Sequence, residues 1–260
     1  MPQGTIRDQA TRPVSGEWAT GLTRSDTLRH RFFWGGFLHT TSGVGSRTRV
    51  FPDRCAAGRE LAAALLPLGL EHPIVLALPR GGVPVGYEVA HLLGAPLDVL
   101  VVRKVGAPDQ PELAIGAVGA AGVVVADEAT MALVGVGPDE FAQLARREQL
   151  EVERRELLFR EGLPPLDLRN RRAILVDDGL ATGATMRAAV EVARKLGALE
   201  VIVAVPVGAP EACARLAERA DRVVCLFEPE AFVAVGYWYE DFAQTDDAEV
   251  RRLLRLSLAR

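Results

Sequence analysis

The feature that most constrains the fold of this 260-residue chain is the regular alternation of short apolar runs with helix-forming segments. Uninterrupted apolar runs are typical of strands buried on both faces of a parallel sheet. They predict strands at residues 73–78, 97–102, 114–118, 123–126, 173–176, 200–205 and 223–227. The segments between them predict helices at residues 56–66, 85–93, 138–160, 185–196 and 210–220, and a Pro-bearing loop at 106–111. This order favours an α/β fold with an open, mostly parallel twisted sheet and helices on both faces.

Composition and charge narrow the class of protein. The formal net charge is −4 and the chain has no basic block, so nucleic acid is not expected as a partner. No apolar run is long enough to span a bilayer, and the N-terminus lacks the apolar region of a secretory signal. These features favour a cytoplasmic protein without a membrane partner. Cys55, Cys213 and Cys225 form no C-x-x-C pair, so neither a zinc site nor a disulfide framework is expected.

Residues 1–48 differ in composition from the rest of the chain. They are rich in Arg, Gly, Ser and Thr and show no sustained hydrophobic period. We therefore predict that residues 1–50 are a disordered or weakly docked extension and that residues 51–260 form the functional domain. The alternative is an arm that packs on a second subunit of a homo-oligomer through Phe32, Phe33 and Trp34.

The most informative segment is residues 173–186, which read AILVDDGLATGATM. Four apolar residues end in Asp177 and Asp178, small residues follow, and a helix is predicted from residue 185. Small residues let the backbone approach an anion closely, and a helix N-terminus attracts phosphate. Two carboxylates can accept hydrogen bonds from two adjacent sugar hydroxyls. The segment therefore predicts a site for a phosphorylated ribose, and the alternative is an Asp pair that only caps a helix.

This segment closely resembles the loop of type I phosphoribosyltransferases that binds phosphoribosyl pyrophosphate (PRPP). In that family an apolar strand, two acidic residues and small residues precede T-G-x-T. The resemblance implies the type I fold with a small C-terminal hood near residues 227–260, and it implies that Asp177 and Asp178 hold the ribose hydroxyls. The following loop would bind the rest of PRPP, chiefly the 5′-phosphate, through Gly179, Ala181, Thr182, Gly183, Ala184 and Thr185.

Two further segments resemble parts of the same family's site. Arg80, Gly81 and Gly82 follow the first strand and resemble the family's pyrophosphate loop, in which N–H groups and a cation contact a diphosphate. Arg103 and Lys104 resemble the start of its mobile loop and would stabilise the departing pyrophosphate. The alternatives are an ordinary strand-to-helix turn in the first case and solvated surface cations in the second.

Residues 227–242, FEPEAFVAVGYWYEDF, resemble the tail of hypoxanthine-guanine phosphoribosyltransferases. The resemblance implies a magnesium contact through Glu240 and a base pocket built by Phe232, Tyr237 and Trp238. Those enzymes have an Asp base where this chain has Ala181, and the A-T-G form is closer to adenine and uracil enzymes. The identity of the acceptor base therefore stays open.

The resemblance implies a pentosyltransferase that moves the 5-phosphoribosyl group from PRPP to a nucleobase-like acceptor and releases pyrophosphate, as in nucleotide salvage. Mg²⁺ would arrive with PRPP and bridge its oxygens. The predicted catalytic residues are Arg103, Lys104, Asp177 and Asp178, whereas Asp127 and Glu128 are only candidates for a general base. The alternative from another class is a PRPP-binding regulatory protein without catalysis.

Overall fold

The computed structural model of the chain describes residues 49–259. Its strands are β1 (Pro73–Ala77), β2 (Leu97–Val99), β3 (Val102–Ala107), β4 (Gln110–Gly119), β5 (Val123–Ala126), β6 (Arg172–Val176), β7 (Glu200–Val207) and β8 (Arg222–Phe227). Its helices are α1 (Arg54–Leu65), α2 (Gly82–Leu93), α3 (Glu128–Val134), α4 (Pro138–Phe159), α5 (Ala184–Lys195), α6 (Pro210–Ala217) and α7 (Asp247–Leu258). The expectation for residues 1–48, including the arm at Phe32, Phe33 and Trp34, lies outside the described residues.

Five strands form a parallel sheet in the order β2-β1-β6-β7-β8. Its strands are buried on both faces, and residues of one strand point alternately to two apolar clusters. Val75 and Ala77 of β1 join a cluster with residues of α1 and α2, whereas Ile74 and Leu76 join a cluster with residues of α5 and α6. The predicted parallel sheet with helices on both faces is therefore confirmed.

The remaining strands form a separate antiparallel sheet in the order β3-β4-β5, and this sheet corrects two predictions. The apolar run at 97–102 is not one strand, because β2 ends at Val99 and β3 begins at Val102. The predicted loop at 106–111 is largely the tip of the β3–β4 hairpin, whose polar residues resemble a loop in sequence. Gly106 permits this pairing, because a Cβ there would overlap the carbonyl oxygen of Pro111.

Helices α3 and α7 are missing from the sequence prediction, although both carry a recognisable start signal. The Asp127 carboxylate accepts a hydrogen bond from the Thr130 N–H (3.0 Å), and Asp246 accepts one from the Glu249 N–H (2.7 Å). Such caps are favoured at helix N-termini. The α7 helix buries residues at the spacing of one helical face, Val250, Leu253 and Leu254. Within residues 49–259, no helix has both the length and the apolar character needed to cross a membrane.

The start of the described region is joined to the segment that follows β8. The Phe51 N–H donates to the Trp238 carbonyl (2.8 Å), and the Glu240 N–H donates to the Phe51 carbonyl (2.8 Å). Around this bridge, an apolar cluster contains Phe51, Ala57, Val207, Trp238 and Tyr239. The segment after β8 is therefore held against the start of α1. That contact is compatible with the predicted hood near 227–260, which stays a prediction.

The contact between α1 and α2 generates a prediction about Gly58. A Cβ at this position would lie 2.7 Å from the Val85 carbonyl oxygen, which belongs to the backbone of α2. Gly58→Ala should therefore lower the free energy of unfolding by about 1–3 kcal/mol, although alanine favours helix formation. Urea denaturation measures the change.

The matched control for Gly58→Ala is Gly137→Ala. Gly137 has an ordinary φ of −80°, and a Cβ there would meet nothing within 4 Å. Gly137 is the N-cap of α4, where alanine is a poorer cap, so its substitution should lower the free energy of unfolding by less than about 1 kcal/mol. Equal effects at the two positions would contradict the proposed clash.

Candidate functional site

The acid pair lies at the carboxyl end of the central strand. The β6 strand ends at Val176, and Asp177 and Asp178 follow directly. The neighbours of β6 are β1 and β7, so the pair stands in the middle of the sheet edge at which ligands of parallel sheets bind. The Asp178 N–H donates to Oδ1 of Asp177 (2.9 Å), which holds the Asp177 carboxylate against the backbone of Asp178.

The turn after β1 packs directly on this pair. A Cβ at Gly81 would overlap Oδ2 of Asp178. At Gly82 a Cβ would lie 2.6 Å from the Val176 carbonyl oxygen and 2.9 Å from the Asp177 Cα. Only residues without a side chain allow so close an approach. The structure therefore brings the predicted pyrophosphate turn and the predicted ribose-binding acids together.

The small-residue loop connects the acid pair to α5. Leu180 fixes its base, because its N–H donates to the Val207 carbonyl (2.9 Å) and its carbonyl accepts from the Ala209 N–H (2.8 Å). Gly183 adopts a left-handed φ of 72° and precedes the first residue of α5. The exposed residues of this loop and of the first turn of α5 include Ala181, Thr182 and Thr185. Backbone N–H groups at this helix N-terminus can bind an anion.

Arg54 is the main residue of the site that sequence reasoning missed. Its Nε and Nη2 atoms both lie 2.8 Å from Oδ2 of Asp178, and Nη1 donates to the Ala243 carbonyl (2.7 Å). The guanidinium carbon lies 3.8 Å from the centre of the Phe242 ring, a cation–π contact. Arg54 begins α1, far from β6 in sequence, so no local pattern could reveal this contact.

Burial controls the protonation of the acid pair. Removal from water raises the pKa of Asp177 well above its usual range, and the neighbouring charge of Asp178 adds to the shift. Burial also raises the pKa of Asp178, although the Arg54 guanidinium opposes this shift. The Tyr239 hydroxyl donates to the Asp178 carbonyl (2.6 Å), and burial raises its pKa as well.

The predicted cations are engaged by acidic side chains. Arg80 lies 3.7 Å from Asp247 of α7. On β3, Arg103 contacts Glu148 of α4 (2.7 Å), and Lys104 contacts Glu112 of β4 (2.6 Å). These pairs are partly exposed, and such pairs contribute little to stability. A bound diphosphate could therefore compete for the cations.

A cleft of about 390 Å³ lies between the antiparallel sheet and the start of α5. Its lining includes Lys104 of β3, Ala184 and Arg187 of α5, and the general-base candidates Asp127 and Glu128. The volume falls within the range of small-molecule sites. The Asp127 carboxylate caps α3, and its pKa is lowered chiefly by the hydrogen bond from the Thr130 N–H, so it is a weak proton acceptor.

The predicted base-pocket residues occupy different environments. Tyr237 is 68% exposed, and Phe232 is half-buried against the apolar clusters of the sheet and of the Phe51 region. Trp238 is 8% exposed and packs edge to face on Phe227. Among residues 49–259, its indole N–H has no hydrogen-bond acceptor. Glu240, the predicted magnesium contact, is exposed.

Comparison with known proteins agrees with this geometry. A phosphoribosyl transferase domain matches residues 52–240. Two Mycobacterium tuberculosis proteins, both named "Putative phosphoribosyl transferase", are 49% identical over 202 residues, which are 78% of this chain and 46% of each relative. The chain thus spans about half the length of these curated relatives. The crystal structure of TT1426 from Thermus thermophilus is 47% identical, with a TM-score of 0.74, and the match covers 79% of this chain and 97% of that chain.

Fold and site together define an α/β protein with two acids and a small-residue loop at the edge of a parallel sheet. The match over residues 52–240 then identifies the family. The chain belongs to the type I phosphoribosyltransferase family, and the resemblance stated from the sequence is confirmed.

The pair between Arg54 and Asp178 generates a stability prediction. The two side chains are only 11% and 14% exposed, so loss of the cation leaves a poorly solvated carboxylate. Arg54→Gln should therefore lower the free energy of unfolding at pH 7 by about 3 kcal/mol, as measured by urea denaturation. The control is Arg59→Gln on the same helix, whose pair with Glu88 is more exposed and should cost less than about 1 kcal/mol.

The raised pKa of Asp177 predicts a pH-dependent stability. Because the folded-state pKa lies above the unfolded one, this group stabilises the fold at low pH and the contribution is lost as pH rises through the folded pKa. Asp177→Asn removes the buried charge, so the variant should melt at a higher temperature than the wild type at pH 8. The difference should shrink towards pH 5. A pH-independent difference, or a variant that is less stable throughout, would contradict the assignment.

Proposed function

We propose that the chain transfers the 5-phosphoribosyl group from PRPP to a nucleobase-like acceptor and releases pyrophosphate. The observation that carries the proposal is the packing of the acid pair at the end of β6 against the Gly81–Gly82 turn at the end of β1. A ribose that carries a diphosphate on C1 and a phosphate on C5 needs a diol site with an anion site on each side. The acid pair, the glycine turn and the start of α5 offer this set of groups.

The acid pair would bind the ribose diol. Oδ2 of Asp178 takes both contacts with Arg54, so Oδ1 remains to accept a hydrogen bond from a sugar hydroxyl. Asp177 would contact the second hydroxyl of the diol, and burial raises the pKa of this carboxyl. The loop from Gly179 to Thr185 would then bind the 5′-phosphate through N–H groups, with Thr182 and Thr185 as hydroxyl donors.

The diphosphate would lie at the glycine turn. Arg80 would contact the diphosphate as a cation on this turn, and Gly81 and Gly82 let the turn lie directly against the acid pair. Arg103 and Lys104 would leave their partners on the β3–β4 hairpin and α4 when the hairpin closes over PRPP. Closure would also exclude water and so limit hydrolysis of PRPP.

The chemical step would be stabilised by fixed charges. Displacement at C1′ passes through a state with positive charge on the sugar ring, which the carboxylate of Asp178 would stabilise. Arg80, Arg103 and Lys104 would stabilise the negative charge on the departing pyrophosphate. Mg²⁺ prefers oxygen ligands and would arrive with PRPP, and the exposed carboxylate of Glu240 is the residue of this chain that would contact it.

The acceptor would bind beside the segment that follows β8. Exposed Tyr237 and half-buried Phe232 offer aromatic surface for stacking on a planar base. The unsatisfied indole N–H of Trp238 supports its place in this pocket, since a ligand oxygen or nitrogen would remove the cost of a buried donor. The identity of the base is left to experiment.

One observation favours a second candidate, a PRPP-binding regulatory protein. The cations proposed for catalysis, Arg103 and Lys104, are paired with Glu148 and Glu112, and no general base stands out beside the acid pair among residues 49–259. Such a protein would use the same diol and phosphate contacts without transferring the group.

The test is a screen of the purified protein with magnesium-PRPP and a panel of bases. Adenine, guanine, hypoxanthine, xanthine and uracil would be supplied singly, and pyrophosphate release would be measured. We expect release with at least one base. PRPP binding by calorimetry without release for any base would favour the regulator, and absence of PRPP binding would contradict both candidates.

The diol assignment is tested by Asp178→Asn. Loss of a charged acceptor should weaken PRPP binding roughly 10- to 100-fold by calorimetry. The control for net charge is Asp139→Asn in the exposed first turn of α4, which should leave the affinity unchanged. An unaltered dissociation constant in Asp178→Asn would contradict the assignment.

A further inference from the structure

Two cysteines that are distant in sequence meet beneath the proposed phosphate loop. Cys213 lies on α6 and Cys225 on β8, and Glu228 follows the end of β8. The two Sγ atoms and a carboxylate oxygen of Glu228 all lie within 4.8 Å of one another. Both thiols are buried and free of disulfide, whereas Glu228 is half-buried and links the cluster to the surface. The missing C-x-x-C spacing hid this cluster from sequence analysis.

Gly208 makes the space for the two sulfur atoms. A Cβ there would lie 2.6 Å from Sγ of Cys213 and 3.3 Å from Sγ of Cys225. The position of Gly208 is fixed by its N–H, which donates to the Phe227 carbonyl (3.0 Å). Both thiols are thus directed into one small space that the backbone defines.

We propose that Cys213, Cys225 and Glu228 bind a thiophilic divalent cation of the Zn²⁺ class. Two thiolates and one carboxylate are a ligand set that Zn²⁺ accepts, and soft sulfur ligands select against Mg²⁺. With Zn–S bonds of about 2.3 Å, two sulfurs on a tetrahedral ion stand roughly 3.8 Å apart. The observed cluster therefore needs only small side-chain shifts to close around an ion.

The binding reaction balances without a redox partner. Two Cys–SH groups each lose a proton and form one S–Zn bond, the carboxylate forms one O–Zn bond, and two protons go to the buffer. The fourth position is open to water or to the Phe227 carbonyl, which already accepts a hydrogen bond from Sγ of Cys225 (3.2 Å). Three protein ligands with one open position are typical of zinc sites that are not purely structural.

The proposed ion would brace the loop of the functional site. Gly208, which faces both sulfurs, pairs with Leu180 in a parallel bridge, and Leu180 belongs to the loop that follows the acid pair. Ion binding to the folded state should therefore raise the melting temperature. This site does not depend on the activity proposed above, since its ligands are separate from the acid pair.

The test uses the full-length, reduced protein after removal of metal by chelation. Titration with Co²⁺ should give a thiolate-to-cobalt charge-transfer band that saturates at one ion per chain, and Zn²⁺ should abolish the band. Cys213→Ser and Cys225→Ser should each weaken binding at least tenfold, and Glu228→Gln should weaken it less. The control is Cys55→Ser, which removes a cysteine outside the cluster and should leave the titration unchanged.

A second measurement uses the wild-type protein, so its result does not depend on whether the variants fold. Calorimetry with Zn²⁺ in buffers of different ionisation enthalpy should give the release of about two protons per ion. Absence of the charge-transfer band in the wild type, or a band that survives in Cys213→Ser, would overturn the proposal. A Cys213–Cys225 disulfide that forms on mild oxidation, in protein that binds no Co²⁺ when reduced, would also overturn it.

Discussion

Two neighbouring carboxylates must be held together, mostly out of water, at the tip of the central strand. Like charges so close oppose each other, and burial penalises both. Arg54 pairs with one carboxylate oxygen of Asp178, and glycines at positions 81 and 82 leave room for the two side chains. Burial also raises the pKa of Asp177. A site of this kind is expected to cost stability, and proteins commonly accept that cost where a ligand binds.

The surroundings of the pair come from three parts of the chain. Arg54 is contributed by the start of α1, the glycine turn by the end of β1, and Tyr239 by the segment after β8. The parallel sheet makes this possible, because the carboxyl ends of its strands meet at one edge. The cations Arg103 and Lys104 lie on the separate antiparallel sheet.

The sequence predicted those parts of the fold and site whose residues lie close together along the chain. Residues 173–186 carry strand, acids, loop and helix start in one continuous segment, so their sequence predicts both the local structure and its chemistry. Arg54 and Asp178 are 124 positions apart, and nothing near Arg54 marks it as a partner. The same holds for Cys213 and Cys225, which meet only because α6 packs on β8. Residues 106–111 at the tip of the hairpin were predicted as a loop because they lack an apolar pattern. Most of them are strand residues in the structure because the two arms of the hairpin pair with each other.

The contact between Phe51 and the segment around Tyr239 has a consequence for biosynthesis. Tyr239 lies 61 positions after Asp178, so its contact with the Asp178 carbonyl forms only after residue 239 has left the ribosome exit tunnel. A nascent chain that already contains β1 and β6 would expose two carboxylates without Tyr239 and without the Trp238–Phe51 bridge.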